Sequence, residues 1–317
     1  MHHQVADLRG FLDFLELWAQ LARGEGINFT RILDDWTHTP GRFFSGLNRA
    51  STAPPPPFVI LPAPATEPPQ FLLVSSAITR WKFTKSSMER LKHDFSPAAS
   101  SNDLWISSGD ALAALLSGVI TRARNNANVS RLQGRSSVES LTEAVAMAAD
   151  GRERAPKGNM SGGRYFGNFN PLWSATISRS DLLSPTCEAS SRVALAIRNA
   201  LNIQLSAQAI ADKISFFEAP ENTQPPGRIS WSADIILTNW CRFDLQGPKL
   251  DFGWGKPFHA TSGSGATFPP GYCIMTQHKE SGDVFVMMTV EHKGADELKA
   301  DPLLNQYATL VAVHPSS

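Results

Sequence analysis

Two short stretches carry residue types that do chemistry: HHQVAD at residues 2–7 and DFGWGKP at residues 251–257. His3 and Asp7 stand four residues apart. On a continuous helix such positions share a face, and a histidine oriented by a carboxylate is a common general base, because its unperturbed pKa of about 6.5 lies near working pH. Taken alone, HxxxD spacing is also what a surface histidine near a chain end shows by chance. DFG matches the magnesium-binding loop of protein kinases, but a kinase needs a Gly-rich phosphate loop and an HRD-type loop before it and an APE after it. No GxGxxG or HRD precedes residue 251, and the APE at 219–221 comes too early. GxxxxGK[ST], HExxH, CxxC and GxSxG are absent as well, so the phosphotransfer, metallohydrolase and serine-hydrolase signatures fail. Read by its own residues, DFGWGKP is a tight turn: two glycines permit positive φ around a tryptophan that plugs a pocket.

The bulk properties narrow the classes. The chain has 317 residues, 42% hydrophobic and 18% charged, with 29 basic and 29 acidic side chains that cancel. That is a globular chain with a sizeable core; the strands and helices expected below intermix, which makes the class α/β or α+β. No basic stripe interleaved with aromatics marks a nucleic-acid partner, although a local basic pocket for a phosphorylated cofactor remains open. No apolar run approaches the roughly 18 residues of a membrane helix, and no secretory leader pattern opens the chain. Cys187, Cys241 and Cys273 are widely spaced and odd in number. They read as reduced thiols of a cytoplasmic protein, not a disulfide framework.

Periodicity supplies the elements. Apolar residues from Val5 to Ala22 at helical spacing predict an amphipathic helix over 5–22, closed by Gly24 and Gly26. Residues 54–69 contain eight prolines, in PPPP, LPAP and EPPQ, which rules out helix and central strand there and predicts a semi-rigid crossover. A strand is expected in 71–84. Helices are expected over 107–124, with a Ser cap and an acidic first turn, over 184–201, capped by Ser184 with Pro185 next, and over 206–217. Residues 140–150 fit strand or helix. Residues 162–173 read as loop with short strand. Strands are expected in 233–243, 272–279 and 283–292, the last two joined by an ESG turn, and a short helix follows in ADELKADPLL.

Taken jointly and in order, these pieces resemble the BAHD family of acyl-CoA-dependent acyltransferases. HHxxxD opens an amphipathic helix. SSNDLWISSGDALAALLSGVITRAR (100–124) resembles the family's SxxDALxAxxWRxxxRAR helix, and AVAMAADGRERAPK with RYFGNFN (144–169) resembles VDxRxRxxPPLPxGYFGN. Thr238-Asn239-Trp240 matches the TSW strand with Asn for Ser, eleven residues before Asp251 of DFGWG. The resemblance spans essentially the whole chain and is closest to fungal members, among them trichothecene 3-O-acetyltransferase-like proteins.

The resemblance implies a chloramphenicol acetyltransferase-like fold, two α/β lobes with a channel between them, and transfer of an acyl group to a hydroxyl or amine of a small acceptor. Acyl-CoA is then a co-substrate, no cofactor or metal is bound, and the full protein is a monomer without nucleic-acid or membrane partners. His3 is implied as general base, and Thr238 and Trp240 as oxyanion or substrate contacts, with Asn239 facing away. Asp7 is implied to be structural, paired with Arg152 or, second, Arg154. Asp251, Gly253, Trp254 and Gly255 are implied to be structural too. The domain reading is a remnant of the N-terminal lobe at 1–35, the Pro-rich crossover at 36–70 and a C-terminal lobe at 71–317, with about 252–280 returning to the first lobe. Family members carry further strands before HHxxxD, so the chain is expected to lack most of the first lobe. The alternatives are a non-catalytic truncated fragment and a condensation-type domain using carrier-bound donors; DFGWGKP speaks against the latter.

Overall fold

The computed structural model describes residues 3, 5–28, 39–47, 53–61, 76–97, 104–129, 141–156, 164–223, 228–231, 233–260 and 268–314. Among them run strands β1 (Phe58–Leu61), β2 (Ser76–Phe83), β3 (Thr142–Ala148), β4 (Leu172–Ser178), β5 (Arg228–Trp231), β6 (Ile235–Asn239), β7 (Tyr272–Gln277), β8 (Val284–Glu291) and β9 (Thr309–His314). The helices are α1 (Leu8–Ala22), α2 (Lys85–Phe95), α3 (Ser108–Asn126), α4 (Arg179–Leu183), α5 (Cys187–Gln204), α6 (Ala207–Glu218), α7 (Pro220–Thr223), α8 (Ala295–Ala300) and α9 (Pro302–Tyr307). A seven-stranded mixed sheet has the order β4-β3-β6-β7-β8-β2-β9, and β1 pairs β5 apart from it. Only β3–β6 and β6–β7 are parallel. A parallel neighbour needs a long crossover, and the β6–β7 connection is the one that contains DFGWGKP.

Helix α3 is the pivot. Its side chains from Asp110 to Ala123 are buried all round, as expected of a helix enclosed by protein rather than lying on a surface. It packs on β6 and β8 and on α2, α4, α5 and α8. Ser107 and Asp110 close a capping box at its start, which satisfies two end donors reciprocally. At its far end Arg122 donates two hydrogen bonds to Asp301, at 2.7 and 3.0 Å, and Arg124 donates to Glu291 and to the Asp234 carbonyl. The arginines of the RAR motif thereby tie α3 to the C-terminal helices and to β8.

Several expectations need correction. The first helix begins at Leu8, with Asp7 as its N-cap in extended backbone; His3 and Asp7 therefore do not share a helix face. The helix expected over 184–201 starts at Cys187, because the Thr186 hydroxyl takes the capping bond. ADELKADPLL is two helices, not one: Asp301 caps the second and Pro302 occupies its first turn. Within the Pro-rich stretch, Phe58–Leu61 does form a strand, confined to the small pair with β5; residues 62–75 lie outside the described set. Of the stretch 252–280 assigned to the first lobe, 272–277 is β7, inside the seven-stranded sheet. The ambiguous 140–150 segment is strand β3, since it inserts between β4 and β6.

Lys213 on α6 is 5% exposed. Its ammonium donates to the Gln204 carbonyl at the end of α5 (3.1 Å) and to the Leu172 carbonyl (2.6 Å). Burial lowers its pKa from 10.5 to about 8. The folded state then binds fewer protons than the unfolded chain between those values, so stability rises with pH across that window. At 1.36 kcal/mol per pKa step the full rise is about 3 kcal/mol. Urea unfolding at pH 7.5 and 10.5 should show it in the native protein and not in Lys213→Met.

Candidate active site

Asp7 organises the approach to the site. Its Oδ1 accepts the Gly10 amide at 2.9 Å, the capping bond of α1. Arg152 donates to both carboxylate oxygens, at 3.0 and 3.2 Å, and the Phe169 amide donates to Oδ2 at 2.6 Å. Arg152, in the one-turn 3₁₀ helix 152–154, also donates to Asp150 and to the Tyr165 and Gly167 carbonyls. Both partners of the pair are nearly buried. Burial opposes the Arg152 charge, yet Asp7 and Asp150 outweigh it and hold the guanidinium above its ordinary pKa. The pair thus joins three pieces distant in sequence: the start of α1, the turn after β3 and the YFGN loop. Contact is close enough that a Cβ on Gly10 would run into the Phe166 carbonyl, so that helix position admits only glycine without a shift.

His3 lies four residues before this cap, outside the helix. The Asn168 side-chain amide donates to the His3 carbonyl at 2.7 Å, fixing the backbone that presents the imidazole. His3 lines a cavity of about 340 Å³ together with Thr238 and Trp240. Thr238 sits near the end of β6, and Trp240 just past it, where its amide donates to the Met275 carbonyl at 2.8 Å. The Tyr272 phenol is raised by burial, and a hydrogen bond with Thr238 works in the opposite direction. Asn239, between them, is also a lining residue, and its Oδ1 accepts the Cys241 amide at 2.9 Å. Asp7 reaches the cavity wall as well, whereas Arg152 stands behind Asp7.

The charges around this cavity come mostly in pairs. Asp110, already in the α3 cap, accepts from Arg198, whose guanidinium lies 4.2 Å over the Trp105 ring. Glu153 accepts from Arg242. Arg154 takes no part in the Asp7 pair. Trp173 on β4, also in the wall, carries a buried indole N–H without a partner among the described residues. Burial pushes the Cys241 thiol up to about 12 and raises Cys273 as well, so neither is a thiolate nucleophile near neutral pH. Among the described residues no cluster of three or more His, Cys, Asp or Glu is placed to hold a metal.

DFGWG lies apart from the cavity. Asp251 Oδ1 accepts the Gly253 and Gly255 amides at 2.7 and 2.9 Å, and both glycines have positive φ, +100° and +99°. The turn is as expected, but the tryptophan is not a plug: Trp254 is 92% exposed and stacks on Phe252. Phe252 meets Trp18 of α1 edge-on at 5.4 Å, and Arg23 donates to the Asp251 carbonyl. The turn therefore leans on the helix that follows His3. Arg154, Arg198 and Trp173 in the cavity wall, and Asn168 on the His3 carbonyl, were not identified from sequence. Arg154 and Asn168 fall inside recognised motifs, but nothing in spacing alone places Arg154 in the cavity that His3 lines or Asn168 on the His3 carbonyl.

A family model described as the Transferase family matches residues 1–303. The chain belongs to this family, that of the BAHD acyltransferases. Solved structures with the same fold include the TRI101 protein of F. sporotrichioides complexed with coenzyme A and T-2, at 17% identity and TM-score 0.72, covering 98% of this chain and 66% of that one. TRI101 of F. graminearum complexed with coenzyme A and deoxynivalenol is 18% identical at TM-score 0.71, covering 97% and 66%. Vinorine synthase is 17% identical at TM-score 0.54, covering 93% and 59%. The chain thus spans just under two thirds of the length of the TRI101 chains. A search of curated proteins found no match. No helix among the described residues is long and apolar enough to cross a membrane.

Proposed function

We propose that this protein transfers an acyl group from acyl-CoA to a hydroxyl or amine of a small acceptor, with His3 as the general base. The observation that carries this reading is that one cavity wall contains His3, Thr238 and Trp240, residues separated by most of the chain. The coenzyme A held by the TRI101 structures supports the choice of donor. In the step, His3 takes the proton of the acceptor O–H or N–H as that atom attacks the thioester carbonyl. Thr238 and Trp240 face the oxyanion that develops there, where fixed donors in a dry site act most strongly. As the C–S bond breaks, the imidazolium returns the proton to the departing thiolate. Asp7 acts on the backbone through its cap and its arginine pair and takes no proton. Asp251, Gly253, Trp254 and Gly255 belong to the turn behind α1, outside the reacting set.

The test is acceptor-dependent release of free CoA thiol by the purified chain, measured with acetyl-CoA and longer acyl-CoAs against a panel of phenolic, alcoholic and amine acceptors. Release above the acceptor-free hydrolysis rate is the expected result. Acyl-CoA that is neither bound nor consumed would overturn the reading.

A further inference from the structure

Arginines and carboxylates at this cavity are equal in number, but they are not paired one to one, because Asp7 and Asp150 share Arg152. Four carboxylates line it: Asp7, Asp110, Asp150 and Glu153. Each is committed to an arginine: Asp7 and Asp150 to Arg152, Asp110 to Arg198, and Glu153 to Arg242. Arg9, at the same wall, pairs with Asp13 at 3.3 Å. Of the cavity's arginines, Arg154 is left with no side-chain hydrogen bond or ion pair among the described residues; its backbone amide donates to the Gly151 carbonyl. It is partly buried, and burial together with the neighbouring Arg242 and Arg198 charges depresses its pKa. Glu153 offsets part of that repulsion, but a guanidinium with no direct partner beside two others gains from an anion that reaches it. A planar fork of donors also suits a carboxylate better than any neutral group. The second unmet donor, the indole N–H of Trp173, belongs to the same wall.

We propose that Arg154 binds a carboxylate carried by the acceptor, which makes this protein an acyltransferase for hydroxy or amino acids in the broad chemical sense. This rests on the acyl-transfer reading above and names its substrate class. The phosphates of coenzyme A are the other source of such an anion. They stand a whole pantetheine arm away from the thioester, whereas Arg154 lines the same cavity of about 340 Å³ as His3, Thr238 and Trp240. That placement favours the acceptor.

Benzoate and its neutral isostere benzamide probe the subsite directly, by calorimetry on the full chain and on Arg154→Gln and Arg154→Lys. Benzoate should bind about tenfold or more tightly than benzamide, as a charge-assisted pair does over a neutral one. The preference should vanish in Arg154→Gln and survive in part in Arg154→Lys, with melting temperatures no lower than the native protein's, because the Arg154 side chain has no bond in the fold to lose. Equal binding of the two probes to the native protein overturns the subsite. Coenzyme A is titrated into the same three proteins. If its affinity falls in Arg154→Gln while benzoate shows no preference, the anion is a phosphate of CoA and the acceptor assignment is wrong. Thiol release is measured in parallel. A benzoate preference without thiol release leaves the anion subsite standing and removes the transfer reading, whereas release without the preference removes the subsite alone.

Discussion

Asp7→Asn is expected to cost about 3–5 kcal/mol of stability, the usual consequence of removing one partner of a buried ion pair. Asparagine is as good an N-cap as aspartate, so the bond to the Gly10 amide survives the change and the loss isolates the other contacts. What disappears is the carboxylate that accepts from Arg152 at both oxygens and from the Phe169 amide. The asparagine NH₂ would then confront one of those donors. Arg152 remains buried with Asp150 as its surviving charge partner. Because Arg152 also gathers the Tyr165 and Gly167 carbonyls, the YFGN loop should loosen together with the start of α1. Urea unfolding gives the loss directly. A native unfolding midpoint combined with lost turnover would mean that Asp7 takes part in the chemistry, and the positioning role would be wrong.

His3→Ala is expected to do the reverse. Proton transfer by a positioned side chain contributes about 10²- to 10⁴-fold to a rate, and kcat should fall by an amount in that range. Stability should hardly change. His3 is exposed, and the contact that holds its segment, from Asn168, goes to its backbone carbonyl, which alanine keeps. The melting curve of the variant should overlay that of the native protein. The two substitutions together separate the roles of the H and the D in HxxxD: one loses rate and keeps fold, the other loses fold.

Much of the fold was legible in the residues. The all-round burial of α3 is foreshadowed by SSGDALAALLSGVITRAR, with its cap, its small and apolar run and its closing arginines. The strands β6, β7 and β8 follow from short apolar runs bounded by turn residues. Three kinds of information were not legible. Edge pairing is one: FVIL at 58–61 and TLVAVH at 309–314 gain strand structure only from partners far along the chain, and helix 85–95, mixed in charge and weak in apolar periodicity, gains it from packing on α3 and from the Thr84 cap. Cap competition is another: Ser184 and Thr186 both qualify as N-caps, and only geometry chooses. The third is direction at the end of a strand. Alternation sets Asn239 opposite Thr238 and Trp240, but it does not foretell that the Asn239 Oδ1 accepts the Cys241 amide where β6 ends. The Asp7–Arg152 contact was foreseeable only through the family motif, since the two residues are 145 positions apart and DGRER offers two arginines for one carboxylate.

The most direct test of the central claim is acceptor-dependent thiol release from acyl-CoA, followed side by side for the native protein and His3→Ala at equal folded concentration. The account predicts release in the native protein, an acylated acceptor as product, and a drop of about 10²-fold or more in the variant. Acceptor-dependent release that persists undiminished in His3→Ala would contradict it, because the base would then be some other group and the cavity around His3, Thr238 and Trp240 would not be where the proton moves.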